Sequence, residues 1–190
     1  MLHFRTILFL LCLSLSFCTC GQTSSGLTGG LNLSTLYGPD MVSAQWKKGF
    51  HAGFFVRHQF NYVAGLHTEL LASTRGFIDL NGTRFQFIYA SLPVLASLKL
   101  NRRTDLLFGP APGLFIGGMQ TEKGKEAAEL MPALRRADLS LALGMLFRPN
   151  DRYHLGVRVN SGLFPVANGW NAQHLNAQLS LGIYLPQLPR

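Results

Sequence analysis

The feature that most narrows the folds open to this chain is an unbroken alternation of apolar and polar residues near its end. From His174 to Leu185 one face carries Leu175, Ala177, Leu179, Leu181, Ile183 and Leu185. The other carries His174, Asn176, Gln178, Ser180, Gly182 and Tyr184. A period of two is the period of a β-strand. Strands in soluble domains usually run to about five or six residues, and this one is twice that. The same pattern returns at 136–148, where Ala137, Leu139, Leu141, Leu143, Met145 and Phe147 oppose Arg136, Asp138, Ser140, Ala142, Gly144, Leu146 and Arg148. It returns again at 152–161, at 49–60 and around Leu27, Leu31 and Leu33.

Segments 63–73, 84–100 and 105–118 complete a set of eight strands. The second of these is expected to bend at Pro93. The third is interrupted by Gly109-Pro110-Ala111-Pro112-Gly113, where the missing proline donors predict a bulge or a gap in the ladder. The connectors alternate in length. Short turns fall at Asn61-Tyr62, Asn101-Arg102-Arg103-Thr104 and Pro149-Asn150-Asp151, and longer loops at about 37–48, 75–83, 119–135 and 162–173. This is the layout of an all-β, eight-stranded antiparallel up-and-down transmembrane barrel, with short periplasmic turns and longer extracellular loops. An even strand number returns both chain ends to the short-turn side.

Composition agrees with that reading. Of 190 residues 47% are hydrophobic and only 14% charged, yet no apolar run beyond the first twenty residues reaches the roughly 18 needed for a membrane helix. A closed sheet crosses a membrane without such a run, because it pairs every backbone polar group internally. Residues 1–21 read as a signal peptide: Arg5, then an apolar stretch from Ile7 to Phe17, then small residues up to Gly21. An uncleaved membrane anchor is the alternative. The barrel domain is then 22–190. All three cysteines, Cys12, Cys18 and Cys20, fall in the leader, so the barrel has no disulfide framework and no cysteine metal site. Phe17 before Cys18 argues against a lipid anchor there.

An eight-stranded bore is about wide enough for side chains to fill. The polar strand faces predict a lumen network of Arg57, His67, Glu69, Lys99, Arg136, Asp138, His154, Arg158 and Asn160, with glycines at 53, 65, 144, 156 and 182 making room. Alternation alone is equally compatible with a soluble, lipocalin-like barrel turned the other way, binding an apolar ligand inside. Three features favour the membrane. The apolar face holds Leu, Phe and Val along whole strands. The polar face carries too little charge for an exposed surface. Aromatics gather near strand ends, at Tyr37, Phe50, Phe60, Tyr62, Phe77, Phe147, Tyr153, Phe164, Trp170 and Tyr184, as interfacial girdles do.

Four stretches carry a resemblance. They are Gly26-Leu27-Thr28-Gly29-Gly30-Leu31-Asn32-Leu33-Ser34, Lys48-Gly49-Phe50-His51-Ala52-Gly53-Phe54, Glu69-Leu70-Leu71-Ala72-Ser73-Thr74-Arg75-Gly76 and Tyr89-Ala90-Ser91-Leu92-Pro93-Val94-Leu95. In this order and spacing the chain resembles the PorT-like outer-membrane barrels of Bacteroidota. The resemblance implies an integral protein of the Gram-negative outer membrane. One member is linked to protein export across that membrane, a role the resemblance does not extend to this chain.

Signs of chemistry are sparse. A lipid A-modifying barrel enzyme would need a hydroxyl activated by a base. The material is His51 or His174, with Ser43, Ser73 or Ser161 and Glu69, but no motif ties them together, so the expectation is a non-enzymatic protein. The histidines lack the spacing of metal ligands, and neither a metal nor a cofactor is expected. His58 falls on the lipid face near an interface if its strand keeps register. The net charge of +8 becomes +7 once Arg5 is removed and is dispersed, which argues against nucleic acid. Lys47-Lys48, Arg102-Arg103 and Arg135-Arg136 suit lipid phosphates at strand ends. Within the longest loop Glu122, Lys123, Lys125, Glu126 and Glu129 form a candidate partner-binding segment. The expected partners are outer-membrane lipids, lipopolysaccharide and envelope proteins. The expected state is a monomer with a structural, interaction or envelope- and secretion-related role.

Overall fold

A computed structural model describes residues 22–39, 44–79, 82–121, 128–129, 136–166 and 171–186. Its strands are β1 (Gln22–Tyr37), β2 (Gln45–Gln59), β3 (Ala64–Ile78), β4 (Arg84–Ser91), β5 (Val94–Lys99), β6 (Thr104–Thr121), β7 (Ala128–Glu129), β8 (Ala137–Phe147), β9 (Tyr153–Gly162) and β10 (Gln173–Tyr184). All pairings are antiparallel. β1 pairs both β2 and β10, so the last strand closes on the first. β4 and β5 both lie between β3 and β6 and are two halves of one barrel strand. β7 is a two-residue addition to β6. The ring therefore has eight strands. Residues 1–21, expected to be a signal peptide, and Ser43, Trp170 and the loop residues Glu122, Lys123, Lys125 and Glu126 lie outside the described residues. Glu129 pairs through its backbone with Met119.

The three short turns share one device. Asn61, Asn101 and Asn150 each open a turn, and each side-chain carbonyl accepts hydrogen bonds from the backbone N–H groups two and three residues on. These Asx-type turns reverse the chain tightly and satisfy donors that the ladder leaves free.

The prolines cause less disruption than their number suggests. β6 runs unbroken through Gly109-Pro110-Ala111-Pro112-Gly113, fully in register with β8. On its other side the same number of residues separates Ser91 from Ala96 as separates Gly113 from Phe108, so the register also survives the Leu92-Pro93 break. Leu92 N–H still reaches the Pro112 carbonyl at 2.8 Å, and Glu69 N–H reaches that of Pro93 at 3.0 Å. Pro110 and Pro112 both turn their donorless nitrogens toward the β4/β5 junction. The gap predicted at these prolines is therefore confined to one side of β6.

A second irregularity is repaired by side chains. Between the pairs Trp46↔Phe77 and His51↔Ser73, β2 carries one residue more than β3, and the ladder opens. Ser34, from β1, reaches across: Gly76 N–H donates to its Oγ at 2.8 Å, and that hydroxyl donates to Gly76 O at 2.9 Å. Asn32 Nδ2 donates to the carbonyls of Phe50 and Thr74, both at 3.1 Å. Phe50 N–H donates to Thr74 Oγ1 at 2.8 Å. Ser34 thus takes the place of a ladder residue for Gly76. Ser34→Ala should lower folding stability by about 1–3 kcal/mol, the cost of leaving a buried backbone pair unmet. A urea titration followed by tryptophan fluorescence measures it, and an unchanged midpoint would contradict this role.

Candidate functional site

The ring settles which face points inward. Leu31, Phe50, Phe54, Leu70, Leu114, Leu141, Leu143, Val157 and Leu179 all face outward and are exposed, Phe50 by 67% and Leu143 by 59%. Arg57, His67, Glu69, Arg75, Asp105, His154, Arg158, Asn160, Asn176 and Gln178 are buried inside. The apolar-ligand barrel is thereby overturned: its apolar face would line the bore, and here that face is outside. Tyr37, Trp46, Phe60, Tyr62, Phe147, Tyr153 and Phe164 are exposed near strand ends. Phe77 and Tyr184, expected in the girdles, are instead turned inward. Phe77 packs with Leu36, Phe87, Tyr89, Val166 and Ala172 in an apolar cluster at the long-loop end, and Tyr184 stacks edge-on against Phe55.

The interior is built in linked groups. Nearest the short turns, Asp105 is fully buried and holds two arginines, Arg57 on one carboxylate oxygen at 2.7 Å and Arg148 on the other at 3.0 Å. Next along β2 comes an aromatic layer in which the Phe55 ring meets His67, His154 and Tyr184 with centroids 5.5, 4.7 and 5.0 Å away. A Cβ on Gly182 would strike the His154 ring, and one on Gly26 would strike Phe55. These two positions therefore give the rings their space.

A longer chain of contacts follows. Glu69 accepts from His67 Nε2 at 2.9 Å and from Arg158 at 2.7 Å. Arg158 Nε and Asn160 Nδ2 both donate to Gln178 Oε1 at 2.9 Å, and Gln178 Nε2 donates to Asn32 Oδ1 at 3.1 Å. Further toward the loops, Arg75 meets Asp138 at 3.0 Å and lies over the Tyr89 ring, while Ser140 donates to Asp138 at 3.2 Å.

Most of the residues predicted for the lumen therefore fall into these groups, and two do not. Arg136 is exposed, just ahead of β8, because the residue that opens the strand lies beyond the barrel wall. Lys99 sits at the short-turn mouth, its amine 4.7 Å from the Tyr62 ring centre. His58 keeps its outward parity, with Nδ1 2.7 Å from Thr23 Oγ1 and its ring against Phe60. Asp105, Arg148, Arg75, Asn32 and Phe55 were absent from the expected network. Arg75 was legible in principle, since Ser73, Arg75 and Phe77 continue the inward parity of β3.

The histidine-serine chemistry also resolves differently. Asn32 gives both amide protons to backbone carbonyls, so its Oδ1 accepts and His51 Nδ1, at 2.7 Å, donates. His51 Nε2 is then left to accept from Ser180 Oγ at 2.9 Å. Ser180, His51 and Asn32 thus form the hydroxyl, base and orienting group of a triad. The serines considered from sequence are elsewhere: Ser73 is buried and Ser161 bonds to Tyr37. His174 faces the Tyr89 hydroxyl at 3.1 Å. Among the described residues no group of His, Cys, Asp or Glu could hold a metal ion.

No family model and no curated protein matches the chain. Solved structures do. The attachment invasion locus protein Ail of Yersinia pestis, solved with the heparin analogue sucrose octasulfate, is similar with a TM-score of 0.55 at 16% identity, over 86% of this chain and 99% of that one. Neisserial surface protein A is similar with a TM-score of 0.56 at 9% identity, over 85% and 98%. The fold is that of the small eight-stranded outer-membrane barrels. At these identities the likeness concerns the fold alone.

The ionic group around Asp105 makes its own prediction. Asp105→Ala leaves the buried Arg57 and the half-buried Arg148 guanidiniums facing each other without a counter-charge and should cost about 3 kcal/mol. Replacing Arg148 by Met in that background should recover part of the loss. Equal urea midpoints for wild type and Asp105→Ala would contradict the assignment.

Proposed function

We propose that this chain is an integral outer-membrane β-barrel protein of PorT-like type, with a structural, interaction or envelope- and secretion-related role and no catalytic activity. The observation that carries the proposal is the inverted distribution of side chains: a belt of exposed Leu, Val and Phe around a core of paired charges. In water that belt would be an aggregation surface; in hydrocarbon it is the solvent-matched face. The fold shared with the small eight-stranded outer-membrane barrels supports the same location. In this reading residues 1–21 are cleaved on export and residues 22–190 insert as a monomer.

Lipids and lipopolysaccharide are the partners the rim suits. Trp46, Lys48, Arg84 and Arg136 are exposed at the long-loop end, where cations meet lipid phosphates and an indole sits at the interface. Envelope proteins are the proposed partners of the 119–135 loop.

The triad of Ser180, His51 and Asn32 is the one observation that favours an enzyme. What supports the non-enzymatic reading is the space beside Ser180, about 10 Å³, enough for roughly one water molecule and not for an acyl chain. His51 and Ser180 then serve to satisfy one another inside the wall.

Cell fractionation is the test. The protein should partition with outer membranes, require detergent, and run faster on a gel unheated than boiled. A mature chain that stays soluble without detergent sinks the location. A fluorophosphonate probe should leave Ser180 unmodified in the folded barrel; labelling lost in Ser180→Ala would restore the enzyme reading.

A further inference from the structure

We propose that the short-turn mouth of the barrel is a binding site for a small oxyanion, a molecule carrying a phosphate or carboxylate group. A cavity of about 670 Å³ opens there, within the size range of small-ligand pockets. Its walls include Arg57 from β2, Lys99 from β5, Arg148 just past β8 and Arg152 from the β8–β9 turn, with Asp151 as the acid among the lining residues. Three separate parts of the chain, β2, β5 and the β8–β9 connector, thus bring four cations to one concavity.

The charges beneath do not cancel this. Asp105 is buried under the mouth and already paired, one oxygen with Arg57 and the other with Arg148. Two guanidiniums therefore share a single negative charge. The further partner of Arg57 is the neutral carbonyl of Gln59, at 2.7 Å. Lys99 rests its amine on the face of Tyr62. A concave site with an excess of one sign and walls of low dielectric focuses the field and concentrates ions of opposite sign. Guanidinium forks match the geometry of phosphate and carboxylate. The layer of Phe55, His154 and Tyr184 closes the inner side, with the Tyr184 ring 5.0 Å from Phe55 and 5.4 Å from His154. A ligand is therefore held at the mouth and does not pass through. The site depends on the barrel and its charges, not on the membrane in which the barrel sits.

Calorimetric titration of the full chain, refolded in zwitterionic detergent at low ionic strength, tests this with inorganic phosphate and citrate as separate probes. Saturable binding is expected, and the tighter probe tells phosphoryl from carboxylate ligands. The double variant Lys99→Gln/Arg152→Gln leaves the Asp105 group intact. It should weaken binding by about tenfold or more, the loss of a charge-assisted contact. Lys48→Gln/Arg84→Gln removes the same two charges at the opposite rim and should weaken binding far less than the mouth variant. If the mouth variant does not fold, Arg152→Gln alone, in an exposed turn, should move affinity in the same direction. Absence of saturable heat with both probes overturns the site. So does an equal loss from the mouth and rim variants, which would mean that only overall charge matters.

Discussion

Everything in this molecule depends on the pairing of β1 with β10. A strand inside hydrocarbon has no water to satisfy its N–H and C=O groups, and each one left open costs several kcal/mol. Joining the last strand to the first, from Gly26↔Tyr184 to Tyr37↔Gln173, removes the edges at which that cost would fall. Two local departures from the ladder fit the same demand. Where β2 bulges away from β3, Ser34, Asn32 and Thr74 supply bonds that the backbone does not make. Where β6 loses donors at Pro110 and Pro112, it does so toward one neighbour only, and the β8 side is intact.

Closure also fixes what the interior can be. The bore must be filled, and it is filled by four guanidiniums and three carboxylates among the described residues, with Arg57, Arg75, Arg148 and Arg158 on Asp105, Glu69 and Asp138. Buried ion pairs add little net stability when whole and cost much when broken. Their arrangement is therefore best understood as fixing which strands meet, since each pair joins residues far apart in the sequence. Arg158 and Glu69 tie β9 to β3; Arg75 and Asp138 tie β3 to β8. The surplus guanidinium lies at the short-turn end, where the bore opens to solvent.

The outward face was legible in the sequence because it is almost purely Leu, Val, Ile and Phe along whole strands. The alternation of 174–185 matches β10 almost residue for residue, and the same pattern in the other segments carried the eight-strand count. The inward face was less legible, for a physical reason. A filled bore accepts any side chain of suitable volume, so Phe55, Phe77, Tyr89 and Leu146 lie inside beside arginines, and the two-letter pattern breaks. β3 read as ending at Ser73 for that reason, although it continues to Ile78 with Arg75 and Phe77 turned inward. Partners across the bore were not legible at all. Asp105 gives no sign along the chain that it will meet Arg57 and Arg148, and Ser180 none that it will meet His51. Arg136 kept the parity of an inward residue but lies beyond the end of the wall.

The central claim is that one strand face meets lipid and the other does not. Single-cysteine scanning of β10, in a chain carrying Cys12→Ser, Cys18→Ser and Cys20→Ser and reconstituted in lipid vesicles, addresses it directly. An environment-sensitive fluorophore at 175, 177, 179, 181 and 183 should be quenched by lipid-borne nitroxides. The same fluorophore at 176, 178, 180 and 182 should not be. Quenching that ignores this period of two, or that falls on the even positions, would contradict the account.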